Sequence, residues 1–516
     1  METTELITVL RRCVASKLVT QGKLLHQKVL ALGLQDNLYL CRNLIQLYFS
    51  SNNHHYATLI FNRLLEYNRP FADVSLWNGL LAAYSKSFMY PEALHLFGRM
   101  LRDNYLGPDS FTYPSVLKAC GGLGMVRLGR MVHTQLVKTC LLRDTTVATS
   151  VCGFYGACGL LGECSKVFDE ISERDVACWN TVISSYYHNG EAWEVLRVFE
   201  RMREAGVGVS SVTLTTALCA CARVGNVDKG REIHLDLVRR GVPLDGFVSS
   251  ALVDMYGKCG CVEMARVVFE QMARKAVVVW NSMISGYSRI GDSKQCIELF
   301  KRMTLDGTVP TLTTLSIILI ACSRSAQLNY GKSVHGYIIR TGIKVDAFVS
   351  NALVDLYFNC GNVRTAKTVF QVMPEADVAS WNVMINGFVK IGEYCEALAT
   401  YNEMEAARAK PDAMTFASIL PACSQLAALE KGKEIHSLIG HGLKNNEVVM
   451  GALLDMYAKC GAIEEALQIF RKLPKRDLVS WTSMITAYGS HGRALEALNL
   501  FREMQQDGKI PEGVTY

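Results

Sequence analysis

The 516 residues hold only 6 tryptophans and 11 prolines, and charge of neither sign dominates: 54 Lys and Arg against 48 Asp and Glu leave a formal net charge of +6. So mild an excess permits a polyanionic partner without demanding one. No uninterrupted apolar stretch approaches the length that spans a bilayer; the best run, Leu315 to Cys322, is far too short. A helical membrane anchor is therefore not expected, and the chain reads as soluble. The 18 cysteines fall well short of the density of a disulfide-framed secreted scaffold, and nearly all lie inside apolar helical patterns, so they read as reduced, buried, small hydrophobes. There is no Gly-x-Gly-x-x-Gly, no Walker loop and no nucleophile elbow, hence no candidate catalytic residue and no expected cofactor. At the amino end Met1 is followed by Glu2 and Glu5 and helical patterning starts at once. Neither a signal peptide nor an acid-poor, Arg-rich transit peptide is visible there.

What is present is periodic. Five of the six tryptophans, Trp77, Trp179, Trp280, Trp381 and Trp481, are separated by 102, 101, 101 and 100 residues. The same interval recurs in Gly-x-x-x-His at His133, His234, His335 and His436, led by His26, and in Cys120, Cys221, Cys322 and Cys423, led by Cys13. Chance does not space rare residues so evenly. Half of the chain is hydrophobic, and its length alone would suggest several globular domains, but a repeat array buries its apolar surface between neighbours and has no natural domain size.

Each interval divides into three subunits sharing an apolar stretch, a Gly and a Glu-Ala-Leu-like run. One begins with Trp381-Asn382 and ends at Asp412; the second, from Ala413, carries Ala-Cys and Gly-x-x-x-His; the third, from Glu447, carries Asp-Met-Tyr-x-Lys-Cys-Gly. Periods of this size indicate a solenoid. Each subunit reads as two antiparallel helices. In 378–412, Ser380 is placed to cap a first helix patterned from Trp381 to Val389, and Gly392 to end it. Ala397, Leu398, Tyr401 and Met404 then form one apolar stripe of the second. No segment sustains strand alternation, so the expected fold is all-α, an α-solenoid superhelix of tandem helix–turn–helix repeats.

With Trp-Asn, Ala-Cys…Gly-Lys-x-x-His and Asp-Met-Tyr-x-Lys-Cys-Gly in hand, the chain resembles plant pentatricopeptide-repeat proteins of the PLS subfamily, in which standard (P), long (L) and short (S) repeats alternate. The register is L 3–37, S 38–73, P 74–109, L 110–144, S 145–175, P 176–210, L 211–245, S 246–276, P 277–311, L 312–346, S 347–377, P 378–412, L 413–446, S 447–477 and P 478–512. The residues 513–516 look like the opening of a further repeat, as if the array were truncated before any carboxy-terminal extension. The pattern departs from the family's at 38–73, with an insertion around Glu66 to Phe71, and at 74–109, where Lys86 to Pro91 replace the usual Gly turn.

The resemblance implies binding of single-stranded RNA, one base per repeat, read by two or three side chains. In the family the readers are the fifth and last residues of P and S repeats. Carried over, Asn78 with Asp109, Asn351 with Asp377 and Asn382 with Asp412 resemble uracil readers; Thr149 with Asp175 a guanine reader; Asn180 with Ser210 a cytosine reader. Asn281 with Thr311 suggests a pyrimidine, and Ser250 with Ala276 and Thr482 with Glu512 a purine. Arg42 with Asp73 and Gly451 with Asp477 match no pair, and the L repeats offer Pro114, Thr215, Ser316 and Ala417 at the fifth place. The implied site is n-n-U-n-G-C-n-R-Y-n-U-U-n-n-R.

Other readings compete with these. The five tryptophans are expected in the core of helix pairs rather than as base-stacking platforms, because each directly precedes a reader and must point the other way. Trp193, out of register, is expected to cover a repeat junction. Equivalent histidines should lie about 30 Å apart given helix diameters of 10–12 Å, too far to share a metal ion, and Cys219/Cys221 and Cys259/Cys261 lack a matched second pair, so no metal site is expected. An Asn near a helix start can serve simply as its cap. A tetratricopeptide-like protein scaffold would show uniform repeats with Trp-x-x-Leu-Gly-x-x-Tyr. A zinc deaminase would need His-x-Glu and Cys-x-x-Cys, neither of which occurs, so the chain is not expected to be an enzyme. The resemblance thus implies a specificity factor for organellar RNA processing, C-to-U editing in particular. It would act in a mitochondrion or chloroplast with editing-complex proteins or a deaminase supplied in trans, or form the RNA-binding part of a longer deaminase chain.

Overall fold

A computed structural model describes residues 3–16, 19–35, 37–50, 53–67, 74–102, 107–239, 241, 245–373, 376–440, 446–473 and 476–511. Most of the insertion at 66–71, the closing residues Asp73 and Glu512, and residues 513–516 lie outside them. Among the described residues there are thirty α-helices and no strand, and no helix is long and apolar enough to cross a membrane. The chain divides into two compact units, Met1–Met255 and Tyr256–Tyr516.

In Met1–Met255 the helices Thr3–Ala15, Leu38–Ser50, Val74–Lys86, Thr112–Gly122, Thr145–Ala157, Val176–His188 and Ser211–Val224 form a central row, each packed on the next. Between them in sequence come Val19–Ala31, His54–Tyr67, Tyr90–Met100, Val126–Lys138, Leu161–Glu170, Ala192–Glu204 and Val227–Arg239, which flank that row and pack against its helices. Tyr256–Tyr516 repeats the scheme with central helices Val277–Arg289, Leu312–Arg324, Ala347–Asn359, Val378–Lys390, Ala413–Gln425, Glu447–Lys459 and Leu478–Ser490. The helix pairs make an α-solenoid. A central helix touches neighbours on both sides and its own partner, which is why these segments are apolar on more than one stripe.

Local chemistry sets the helix ends. Asp377, not Ser380, caps Val378–Lys390: its Oδ1 accepts the Ser380 backbone N–H at 2.8 Å and the Ser380 hydroxyl at 2.7 Å. Ser380 stands at the third helical position, one turn inside the end assigned to it from the pattern. Gly392 closes the helix with φ +82°, a conformation that only glycine adopts without strain. Where Lys86 to Pro91 replace the Gly turn, Phe88 itself takes φ +60°.

The marker residues are packing devices. A Cβ on Gly129, Gly230, Gly331 or Gly432 would overlap Phe154, Met255, Leu356 or Met456 of the next central helix, so the Gly of Gly-x-x-x-His is the price of that close approach. Each Trp is buried, as expected, and packs edge-on against a Phe of the preceding repeat's second helix. The pairs Phe61–Trp77, Phe168–Trp179, Phe269–Trp280, Phe370–Trp381 and Phe470–Trp481 have centroids 4.8–5.1 Å apart at 71–87°. The tryptophans therefore join repeats. Trp193, expected over a junction, is 63% exposed.

Candidate nucleic-acid interface

The fifth residue of a P repeat and its last are thirty or so positions apart in sequence, yet they meet because the last residue begins the next central helix. Ser210, Thr311 and Asp412 are N-caps, and Asp109 accepts the backbone N–H groups of Phe111 and Thr112 just before its helix. A capping side chain at that place faces back along the preceding central helix, onto the Asn one turn inside it. Asn78 Nδ2 donates to Asp109 Oδ1 and Oδ2 at 2.8 and 3.0 Å, Asn180 Nδ2 to Ser210 Oγ at 3.0 Å, Asn281 Nδ2 to Thr311 Oγ1 at 3.5 Å and Asn382 Nδ2 to Asp412 Oδ1 at 3.0 Å. The capping alternative thus falls on the closing residue and not on the asparagine.

A third member completes each pair, and the sequence reading did not include it. Thr112, Thr213, Thr314 and Thr415, the third residues of the following L repeats, donate their hydroxyls to the Oδ1 of Asn78, Asn180, Asn281 and Asn382 at 2.7, 2.5, 2.6 and 2.7 Å. All four threonines are fully buried. Their 101-residue spacing was the available signal. Burial works against the charge of Asp412, but the backbone N–H of Thr415, the Asn382 amide and the Thr415 hydroxyl hold its carboxyl below the ordinary carboxylate range.

The S repeats differ. No hydrogen bond joins Asn351 to Asp377 or Thr149 to Asp175; Asn351 Oδ1 and Thr149 Oγ1 are buried without a partner, while Asp377 and Asp175 cap the next helix. Ser250 Oγ turns back to the Gly246 carbonyl, and Ala276 offers no side-chain cap. Thr482 is half-buried, and its closing residue Glu512 is outside the described residues, as is Asp73, the partner of Arg42. Of the fifth residues in L repeats, Ser316 is buried and bonded to the Thr313 carbonyl, and Thr215 to the Ser211 carbonyl.

The histidines and cysteines are committed elsewhere. His26, His133, His335 and His436 pair through Nδ1 with the hydroxyls of Tyr48, Tyr155, Tyr357 and Tyr457 at 2.7–2.9 Å. Burial pushes the thiols of Cys120 and Cys423 up to about 11 and that of Cys322 to about 12. Among the described residues no three His, Cys, Asp or Glu side chains come together to hold a metal ion.

Two rows of exposed side chains accompany the triads. Apolar residues stand at the second repeat position, three before the fifth and so on its face: Phe111, Val212 and Phe247 in the first unit, Val278, Phe348, Met414, Val448 and Val479 in the second, all at least 60% exposed. Cations stand two turns further along the same helices: Lys86 and Arg223 in the first unit, Lys258, Arg289, Arg324, Lys390 and Lys459 in the second. Lys258, Arg289 and Arg324 line one open cleft of about 620 Å³. Stacking surface, polar amide and cation are the three chemistries that a single strand's bases and phosphates require.

Comparison with known proteins places this arrangement. The PPR repeat family matches residues 174–223, 275–324 and 376–425, and the PPR repeat matches 75–105, 212–242, 247–277, 348–378, 448–478 and 479–508. A pentatricopeptide repeat-containing protein of Arabidopsis thaliana is 48% identical over 517 residues, covering 100% of this chain and 74% of that protein. Another from that plant, named as mitochondrial, is 33% identical over 512 residues, covering 98% and 89%. The crystal structure of the pentatricopeptide repeat protein PPR10 from maize superposes with a TM-score of 0.66 at 20% identity, covering 95% of this chain and 72% of that one. PPR10 in complex with an 18-nt psaJ RNA element gives 0.62 at 18% identity, covering 100% and 81%. By helix pairing, repeat matches and full-length similarity, the chain belongs to the pentatricopeptide repeat family.

Proposed function

We propose that this protein binds single-stranded RNA sequence-selectively, one base per repeat, through an array of fifteen P, L and S repeats with the boundaries given above. The observation that carries this reading is the recurrence, in the four P repeats whose fifth and closing residues are both described, of an amide held between a closing residue and a threonine beside an exposed apolar side chain or cation. Mere structural capping needs neither the asparagine nor the exposed apolar row. The RNA carried by PPR10, a protein of the same fold, supports it. We further propose action in an organelle, as the printed names of mitochondrial and chloroplastic relatives suggest, and a role as specificity factor for C-to-U editing with catalysis supplied in trans. The site residues are those proposed from the sequence: Asn78, Asn180, Asn281 and Asn382 with their closers in the P repeats, and Thr149, Ser250, Asn351 and Thr482 in the S repeats.

The test is competition binding of a single strand carrying the implied site against its duplex. The single strand should win by at least tenfold, and affinity should fall as salt rises, because neutralised phosphates release counterions. Equal affinity for the duplex, or no binding at low salt, would refute the proposal.

A further inference from the structure

We infer that the third residue of each L repeat that follows a P repeat is a positioning residue for the base choice of that P repeat. The inference rests on the RNA-reading function proposed above. An asparagine amide has two ends of nearly equal shape, one donating and one accepting, and turning it over exchanges the pattern shown to a base. Something must fix which end faces which way.

At Asn180 the closing residue alone does not. Ser210 carries a hydroxyl, which accepts or donates and so suits either end of the amide. Thr213 ties that choice to a second hydroxyl. Its Oγ1 accepts the Ser210 backbone N–H at 3.2 Å and lies 2.8 Å from Ser210 Oγ, and its single proton goes to Asn180 Oδ1. Ser210 Oγ in turn accepts from Asn180 Nδ2 and from the Thr213 backbone N–H. With the amide this way round the ring closes from Thr213 to Asn180 to Ser210 and back to Thr213, and turning the amide over requires both hydroxyls to reverse their donation with it. The same ring recurs at Asn281 with Thr311 and Thr314.

Where the closer is a carboxylate, as at Asp412, it only accepts and already forces Nδ2 toward itself, so Thr415 should matter less. At the S-to-P junctions the third position holds Leu76, Cys178, Val279, Ser380 or Ser480. The hydroxyls of Ser380 and Ser480 turn to Asp377 and Asp477 at 2.7 and 2.6 Å. The device therefore belongs to P-to-L junctions, and it gives L repeats a part in specificity through a buried residue.

The experiment compares Thr213→Val, Thr213→Ser and Asn180→Ala with the unsubstituted chain, in competition between RNAs that differ only in C or U at the base paired with Asn180. Thr213→Val should lose about tenfold of the preference, equivalent to about 1.4 kcal/mol, with preferences at other bases intact. Thr213→Ser should restore it. Thr415→Val should shift the preference at Asn382 less than Thr213→Val does at Asn180. A uniform loss of affinity with an unchanged ratio, while Asn180→Ala abolishes the ratio, would overturn this inference and leave the RNA reading standing. An unchanged ratio in Asn180→Ala itself would overturn both. If Thr213→Val does not fold, Thr314→Val at the equivalent ring decides by the same criterion.

Discussion

Changing Ser210 to Asp should convert a cytosine-preferring repeat into a uracil-preferring one without weakening the fold. The template lies in the same chain: Asp412 Oδ1 accepts the Thr415 backbone N–H at 2.8 Å and Asn382 Nδ2 at 3.0 Å and lies 2.9 Å from the Thr415 hydroxyl, contacts that Ser210 makes with Thr213 and Asn180. Capping is preserved, since Asp and Ser rank together at N-caps, whereas Ser210→Ala should lose about 0.5–2 kcal/mol. What changes is hydrogen-bond sign. A carboxylate only accepts, while a hydroxyl also donates; uracil presents a donor at N3 where cytosine presents an acceptor. A well-formed polar base contact discriminates by about 1–3 kcal/mol, so the U-to-C ratio at the sixth base of the implied site should rise by about tenfold or more. Competition binding with two RNAs differing at that base measures the ratio, and a thermal melt measures the fold. An unchanged ratio in a variant that melts like the parent would show that residue 210 does not take part in reading, and would break the repeat register with it.

Trp280 is completely buried against Phe269, so Trp280→Ala should destabilise the fold by about 3–5 kcal/mol; a change below about 1 kcal/mol in chemical denaturation would contradict its role in joining repeats. His26, His133, His234 and His335 have their protonation pushed below the ordinary value of 6.5 by burial, so the unfolded chain takes up protons more readily. Stability should be full above that value and decline as pH falls through it; a melting temperature that stays flat between about pH 7.5 and about pH 5.5 would rule this out. Exposed Cys140 and Cys395 should alkylate quickly at about pH 8 while Cys120, Cys322 and Cys423 react only on denaturation. Peptide mass spectrometry would expose the opposite order.

Much of this protein was legible before any coordinates. Periodic Trp, Gly-x-x-x-His and Ala-Cys fixed the repeat interval, because each marker solves a packing problem that recurs wherever one helix pair meets the next. Helix pairing followed from apolar stripes and turn glycines such as Gly392. Three things were decided only in three dimensions. The tryptophans point across the junction to Phe61, Phe168, Phe269, Phe370 and Phe470, because a residue's partner in a solenoid is set by stacking and not by membership of a hairpin. Trp193 points to solvent, since hydrophobicity alone carries no direction. And Thr112, Thr213, Thr314 and Thr415 close rings on asparagines more than thirty residues earlier. A threonine three places past a helix cap reads locally as half of a capping box, which it is. That the same hydroxyl has one proton left for a neighbouring repeat's amide depends on how closely the central helices approach, and that distance is set by the packed core.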